Sequence, residues 1–143
     1  MTSVNPYLIY PMCAMVLLTI FAMGKMFISR VKAVKAGQMK VNDFKTYTAP
    51  QSDLLIQTAR HYSNLFEAPV LFYVVCILGI LLNFNGTLFV TLAWIYVIAR
   101  VAHTIIHTGS NVVRIRMRVF AFSWLALIVM WALVFVRAFE IAT

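Results

Sequence analysis

The chain has 143 residues, of which 63% are hydrophobic and 11% are charged, and its formal net charge is +8. A soluble domain of ordinary composition carries about 25% charged residues, so this sequence cannot cover a water-facing surface. Composition therefore excludes an ordinary soluble protein and predicts a single integral membrane domain over residues 1–143. Because no basic soluble module is present, we also expect no nucleic acid among the partners.

Four continuous apolar runs follow one another along the chain. Each is close to the roughly 20 residues that a helix needs to cross the hydrocarbon of a bilayer. None shows the alternation of polar and apolar residues that marks the strands of a membrane barrel. We therefore predict an all-α integral membrane protein, a bundle of four transmembrane helices embedded in the lipid bilayer. The predicted helices lie at about 7–27, 52–82, 87–108 and 116–140.

Basic residues concentrate in two of the loops between these runs. Of the twelve Lys and Arg, seven lie from Lys25 to Arg60 and four from Arg100 to Arg118, whereas the link at residues 83–86 has none. Since basic loops stay on the cytoplasmic side, we expect both charged loops inside and both termini outside the cytoplasm. The first run lacks a basic leading region, so we expect it to be retained rather than cleaved as a signal peptide.

The second predicted helix begins with the polar stretch ARHYSNLFEAP at residues 59–69. Arg60, Asn64 and Glu67 are spaced i, i+4 and i+7, which places all three on one face of a helix. Pro69 lacks a backbone donor, so we expect it to loosen the backbone near Glu67 and to widen a polar cavity there.

The third predicted helix carries a matching face, because Arg100, His103 and His107 are spaced i, i+3 and i+7. The short link before it predicts that the second and third helices are antiparallel neighbours. Glu67, Arg100 and His103 would then lie roughly 21–26 Å from the link, inside the bilayer toward the cytoplasm. Two interpretations follow. Glu67 and Arg100 form a buried ion pair between helices, and the other polar residues line a cavity.

The pattern of Arg60, Asn64, Glu67 and Pro69, followed by a long apolar run, resembles the second-helix signature of the MAPEG superfamily. These are the membrane-associated proteins in eicosanoid and glutathione metabolism. The stretch ARVAHT at residues 99–104 resembles the third helix of prostaglandin synthases in that family. The run HTIIHTGSNVVRIRMRVF at residues 103–120 is similar to uncharacterised bacterial members, so we expect a bacterial inner membrane location.

This resemblance implies a homotrimer that binds glutathione as co-substrate between neighbouring subunits, near the cytoplasmic face. Arg116 matches the position of an arginine linked to activation of the thiol, although headgroup contact at a helix start is the alternative for this residue. Three positions depart from the eicosanoid enzymes, namely Ser63, His107 and Met117. His107 replaces a tyrosine and is a candidate donor. The positions that match the family's glutathione contacts are Arg60, Asn64, Glu67 and His103, with Arg100 in support.

Two function classes remain open at this point. One is a membrane-bound glutathione-dependent transferase or peroxidase that acts on lipophilic electrophiles. The other is a non-catalytic protein of the same fold that binds lipid or a small molecule, and a proton-coupled transporter is a distant third because no inverted repeat is visible. No metal is expected, since no second carboxylate or thiolate completes a ligand cluster. Cys13 and Cys76 lie inside apolar runs and are interpreted as packing residues.

Overall fold

A computed structural model describes residues 6–45, 50–84 and 86–142, and these residues form helices joined by short turns. One 3-10 turn, Pro6–Leu8, precedes the first helix. A second 3-10 turn, Val41–Phe44, lies in the loop that follows that helix. The α-helices are α1 (Ile9–Lys35), α2 (Asp53–Asn64), α3 (Ala68–Leu81), α4 (Thr87–Thr108) and α5 (Val113–Ala142).

Four helical stretches are long and apolar enough to cross a membrane, with α2 and α3 together forming the second. The prediction of an all-α chain with four such stretches is therefore confirmed. They are Pro6–Lys35, Asp53–Leu81, Thr87–Thr108 and Val113–Ala142.

The second predicted helix is interrupted, because α2 ends at Asn64 and α3 begins at Ala68. In a continuous helix the ring of Pro69 would clash with the carbonyl of Leu65 and leave it without a donor. The N–H groups of residues 65–67 instead donate to carbonyls three residues earlier, at 2.9–3.4 Å. Glu67 has φ −100° and ψ −97°, well outside the helical region. The break therefore turns the backbone at the point where the polar residues lie.

Two of the helix ends use a left-handed residue to stop the helix. Gly37 follows α1 with φ +70°, and the N–H of Gln38 donates to the carbonyl of Ala33 at 3.0 Å. Asn83 follows α3 with φ +53° and makes the equivalent turn. These turns satisfy the last carbonyls of each helix, which would otherwise lack a donor. Helix α1 thus continues to Lys35, beyond the predicted end near residue 27.

The core lies between α3, α4 and α5, with α1 packed against α2 and α4. Phe72 of α3 stacks on Tyr96 of α4, with ring centroids 4.4 Å apart and planes inclined by 12°. Both rings are fully buried, as are Met15 of α1 and Met130 of α5. Aromatic rings and flexible methionines therefore fill the space between the helices.

The outer surface of the bundle is covered by large apolar side chains. Leu17, Ile98, Ile105 and Phe135 are each more than 60% exposed. A water-facing surface of this kind would be an aggregation site, whereas lipid tails solvate it without cost. Together with the four spanning helices, this surface makes the chain a multi-pass integral membrane protein.

Candidate functional site

A fully buried arginine lies at the centre of the polar region between α2 and α4. Arg100 has 0% exposure, and its Nη2 donates to Oδ1 of Asn64 at 2.8 Å. Its Cζ also lies 5.6 Å from the centroid of the Phe120 ring on α5. The Nε and Nη1 groups have no hydrogen-bond partner among the residues that the structure describes. A buried guanidinium whose donors lack partners is energetically costly.

The predicted ion pair between Glu67 and Arg100 is wrong for this chain. No Glu67 carboxylate oxygen lies within 4.0 Å of the Arg100 guanidinium in the described structure, and Arg100 uses Asn64 instead. The helix break before Pro69 explains the difference, because it leaves Glu67 in a non-helical turn with its side chain exposed. The exposed Glu67 side chain therefore lies on the wall of the polar region, and Asn64 is the α2 residue that accepts the hydrogen bond from Arg100.

The three histidines of the chain meet beside this arginine. His61 comes from α2, and His103 and His107 lie one turn apart on α4. Their ring centroids are 5.3–6.0 Å apart, and each ring has a nitrogen within 4.8 Å of a nitrogen of the others. All three side chains are buried, with exposures of 1%, 3% and 7%.

A cavity of about 680 Å³, which we call the larger cavity, opens beside the histidines. It is bounded by α1, α2, the turn before α3 and the end of α4. Its wall combines cations, a carboxylate and an amide, so it offers complementary partners to a zwitterion. The lining residues are Met26, Arg30, Ala59, Arg60, Tyr62, Ser63, Asn64, Glu67 and His107.

A second cavity of about 210 Å³, the smaller cavity, lies between α2, α4 and the start of α5. It shares Asn64 and His107 with the larger cavity, so the two are neighbours. Arg116 contributes to its wall, and its Nη1 donates to Oδ1 of Asn111 at 2.6 Å. This hydrogen bond orients the guanidinium at the mouth of the cavity. The lining residues are Asn64, His103, His107, Arg116, Met117 and Phe120.

An apolar groove of about 420 Å³ runs between α4 and α5 on the outer surface. Its walls are aliphatic and aromatic apart from Arg118, which fits the tail of a lipophilic molecule rather than a polar ligand. The lining residues are Ile95, Ile98, Ala99, Ala102, Arg118, Val119 and Phe122.

The structure gathers the predicted site residues around these two polar cavities, except for Arg100. Arg60, Asn64, Glu67 and His107 line the larger cavity, and His103, His107 and Arg116 line the smaller one. Arg100 lines neither cavity, and its guanidinium instead donates a hydrogen bond to the side chain of Asn64. Ser63 and Met117, two of the positions at which the sequence differs from the eicosanoid enzymes, also lie on cavity walls.

Two polar residues of this region were missed in the sequence. His61 is not among the candidate site residues from the sequence, although it lies on the buried face of α2. Lys25 of α1 was counted as a loop charge, but its Nζ donates to Oγ1 of Thr108 at 2.7 Å and to the Thr108 carbonyl at 3.2 Å. The signal for His61 was the spacing to Thr58, since residues three apart share a helix face.

Comparison with known proteins places most of the chain in one family. The model of the MAPEG family matches residues 8–136, which is most of the chain and includes every residue of the two polar cavities. The corresponding comparisons with curated proteins and with solved structures give no significant match. A family match of this extent, on a four-helix membrane fold, is decisive for membership. The chain belongs to the MAPEG family.

Proposed function

We propose that the protein binds glutathione in the larger cavity and uses its thiol on lipophilic electrophiles, as a membrane-bound transferase or peroxidase. The observation that carries the proposal is the composition of that cavity wall, which presents Arg60, Asn64 and Glu67 together. Membership of a family associated with glutathione and eicosanoid metabolism supports the same class of chemistry.

Glutathione has two carboxylates, one ammonium group, two peptide bonds and a thiol. In the larger cavity, Arg60 provides a cation for a carboxylate and Glu67 provides an acceptor for the ammonium group. The Asn64 side chain provides a donor and an acceptor for a peptide bond, and Arg100 holds that side chain in place. A volume of about 680 Å³ lies within the range of ligand pockets, which is about 300–1,000 Å³.

The thiol would extend into the smaller cavity, where Arg116 is oriented by Asn111. A fixed guanidinium in a poorly solvated site favours the thiolate over the thiol. The sulfur then attacks the electrophilic carbon, a C–S bond forms, and the leaving group departs with its electron pair. His107 lies on the walls of both cavities and is placed to donate a hydrogen bond to the leaving group, in the position of the family tyrosine.

The lipophilic partner would reach this sulfur along the apolar groove between α4 and α5. The groove is lined by consecutive turns of both helices and opens toward the lipid. Its α5 wall includes Val119 and Phe122, which flank Phe120 of the smaller cavity in sequence. An electrophile dissolved in the bilayer would therefore enter sideways and would not need to cross water.

Assembly and orientation belong to the same proposal. We expect a homotrimer in a bacterial inner membrane, with both termini outside the cytoplasm and the polar cavities open toward it. The exposed apolar side chains of α1 and α5 provide surface for contacts between subunits as well as for lipid. The unpartnered Nε and Nη1 groups of Arg100 supply a reason for assembly, because a neighbouring subunit or bound anion would offer the missing acceptors.

Calorimetric titration of the purified protein with glutathione tests binding. Arg60→Ala should weaken binding by roughly tenfold, since one charge-assisted hydrogen bond is worth about 1.5 kcal/mol or more. Arg114→Ala is the matched control because Arg114 is exposed and lines neither the two polar cavities nor the apolar groove. Absence of binding at millimolar glutathione in well-folded protein would overturn the proposal.

The ultraviolet absorption of the bound thiolate tests the second step. Arg116→Ala should abolish this absorption and turnover while glutathione still binds, though more weakly. Arg114→Ala should leave both signals unchanged. Equal thiolate absorption in the two variants would contradict the role of Arg116.

A non-catalytic lipid-binding role is the second candidate, and the apolar groove favours it. The groove accommodates an acyl chain without any help from the polar cavities. Mass spectrometry of co-purified lipid distinguishes the two. A stoichiometric lipid that is lost in Ala102→Trp, which would fill the groove, would support the lipid-binding role, whereas a lipid that persists in this variant would contradict it.

A further inference from the structure

We infer that His61, His103 and His107 form a binding site for a zinc-type transition-metal ion, with a fourth coordination position open toward the two polar cavities. The inference replaces the expectation from the sequence that no metal is bound, and it does not depend on glutathione binding, because the three side chains converge without it. The first observation is convergence. The chain has three histidines, contributed by two different helices, and all three meet at one point.

The positions on the helices favour chelation. His103 and His107 are spaced i and i+4 on α4, so their rings project from the same face one turn apart. A pair at this spacing on a helix is the arrangement by which two histidines bind one zinc ion. His61 of α2 faces this pair across the helix interface, with ring centroids 6.0 and 5.3 Å from those of His103 and His107.

The distances between the nitrogens are close to those of a metal centre. One nitrogen of each ring lies within 4.8 Å of the others. Tetrahedral zinc with Zn–N bonds of 2.0–2.1 Å would bring them to about 3.3 Å apart. Closing this difference requires each ring to move by roughly 1 Å, which small side-chain rotations provide.

The second, independent observation is the absence of hydrogen bonds to the rings. Both nitrogens of His61, both nitrogens of His103 and Nδ1 of His107 are buried and have no partner within the described part of the chain. A neutral imidazole has one donor and one acceptor, and buried polar groups are nearly always paired. A metal ion would accept the lone pair of one nitrogen from each ring and so account for three of these orphaned atoms.

The surroundings restrict the ion and its fourth ligand. Three imidazoles without a carboxylate suit Zn²⁺, Cu or Ni rather than Mg²⁺ or Ca²⁺. Arg100 lies one turn before His103 on α4, so a dication would be destabilised unless an anion joined it. An anionic fourth ligand, such as hydroxide or a thiolate, would enter through the cavities that His107 borders. Three histidines with one open position are the pattern of zinc sites that act on a bound ligand.

Metal analysis and Co²⁺ absorption spectroscopy test the site. Protein purified without a polyhistidine tag, incubated with Zn²⁺ and desalted, should retain about one ion per chain. Replacement by Co²⁺ should give the intense visible absorption of four-coordinate cobalt. Retention of less than a tenth of an equivalent, or the weak spectrum of six-coordinate cobalt, would overturn the inference.

His107→Gln is the preferred variant, because His107 is the least buried of the three and its loss is the least damaging to packing. It should reduce Zn²⁺ affinity at least tenfold, and His103→Gln should do the same. Cys13→Ser and Cys76→Ser are the matched controls for thiol binding and should retain the metal. In addition, Zn²⁺ should raise the unfolding temperature of the wild type and of the cysteine variants, but not of His107→Gln. Equal metal retention in His107→Gln and the wild type would refute the site.

Discussion

Helix α4 packs against α3 along one half of its length and against α2 along the other, and the two halves differ in the polarity of their buried side chains. From Phe72 to Gly79 on α3, the side chains facing α4 are packed against rings. Phe72 stacks on Tyr96, and Gly79 lies against Phe89, which in turn stacks on Phe84 at 4.7 Å. We call this the apolar half.

One turn beyond Tyr96, α4 presents Arg100 and then the histidines, and α2 presents Asn64 and His61. We call this the polar half. Here, among the residues that the structure describes, two donors of Arg100 and five nitrogens of the histidine rings are buried without a hydrogen-bond partner. In the apolar half the hydroxyl of Tyr96 is the one buried polar atom without a partner among the described residues, whereas the polar half has seven such atoms. Along the bundle axis, stacked apolar rings therefore give way to buried polar groups.

The largest loss of stability should come from a substitution at the centre of the apolar half. Phe72→Ala would leave a cavity under Tyr96 and should lower the free energy of unfolding by about 3 kcal/mol or more. Thermal unfolding in detergent measures the loss. Leu71→Ala is the control on the same helix, because Leu71 is 41% exposed and faces outward. A similar loss in the two variants would show that this interface is not the source of stability.

Overpacking should reveal the same tight contact. A Cβ at position 79 would lie 2.5 Å from Cε1 of Phe89, so Gly79→Ala should cost about 1–3 kcal/mol. Gly24→Ala is the matched control, since a Cβ there meets nothing within 4 Å. Because alanine is the better helix former, the control should be neutral or slightly stabilising. A stable Gly79→Ala protein would mean that α3 and α4 separate easily.

The apolar half could be predicted from the sequence, because continuous runs of apolar residues specify spanning helices regardless of partners. The four spans and the all-α class followed from length and composition. The polar half was predicted only in part. The spacing of Arg60 and Asn64 correctly placed both on one cavity, and the resemblance drew attention to His103, His107 and Arg116.

Two features were out of reach because they depend on the backbone break. Pro69 indicated a loosened helix, but not that the chain would stop at Asn64 and restart at Ala68. In a continuous helix, Glu67 would share a face with Asn64 and would lie near Arg100. The break instead leaves the Glu67 side chain exposed. The spacing of Arg60, Asn64 and Glu67 does not indicate His61, because the buried face of α2 is one residue further round the helix.

The hydrogen bond between Asn64 and Arg100 sharpens the comparison in the polar half. Asn64→Leu removes the side-chain acceptor of a buried charge and should cost about 1–2 kcal/mol. Arg100→Met should be neutral or stabilising, because it removes a charge whose Nε and Nη1 have no partner in the described part of the chain. Thermal unfolding of the two variants and their double mutant gives the coupling energy.

The same cycle decides between Asn64 and Glu67 as the partner of Arg100. Asn64→Leu and Arg100→Met should couple by at least about 0.5 kcal/mol, since contacting residues are non-additive. Glu67→Gln and Arg100→Met should be additive within that margin, because no ion pair joins them in the chain. Strong coupling of the second pair would restore the ion pair between Glu67 and Arg100.

The smallest effect concerns the edge of the polar half, where α1 is joined to the end of α4. Lys25 donates to Oγ1 of Thr108 at 2.7 Å and to its carbonyl at 3.2 Å, and a cation at a helix C-terminus also interacts favourably with the helix dipole. Thr108→Val keeps the carbonyl and the shape but removes Oγ1, so it should cost only about 0.5–1.5 kcal/mol. Thr91→Val is the control on the same helix, because Thr91 is exposed on the apolar surface. Unfolding measured at low and high salt should show a larger loss for Thr108→Val than for Thr91→Val at both. Identical losses would mean that the hydrogen bond from Lys25 to Oγ1 of Thr108 contributes nothing to the stability of the bundle.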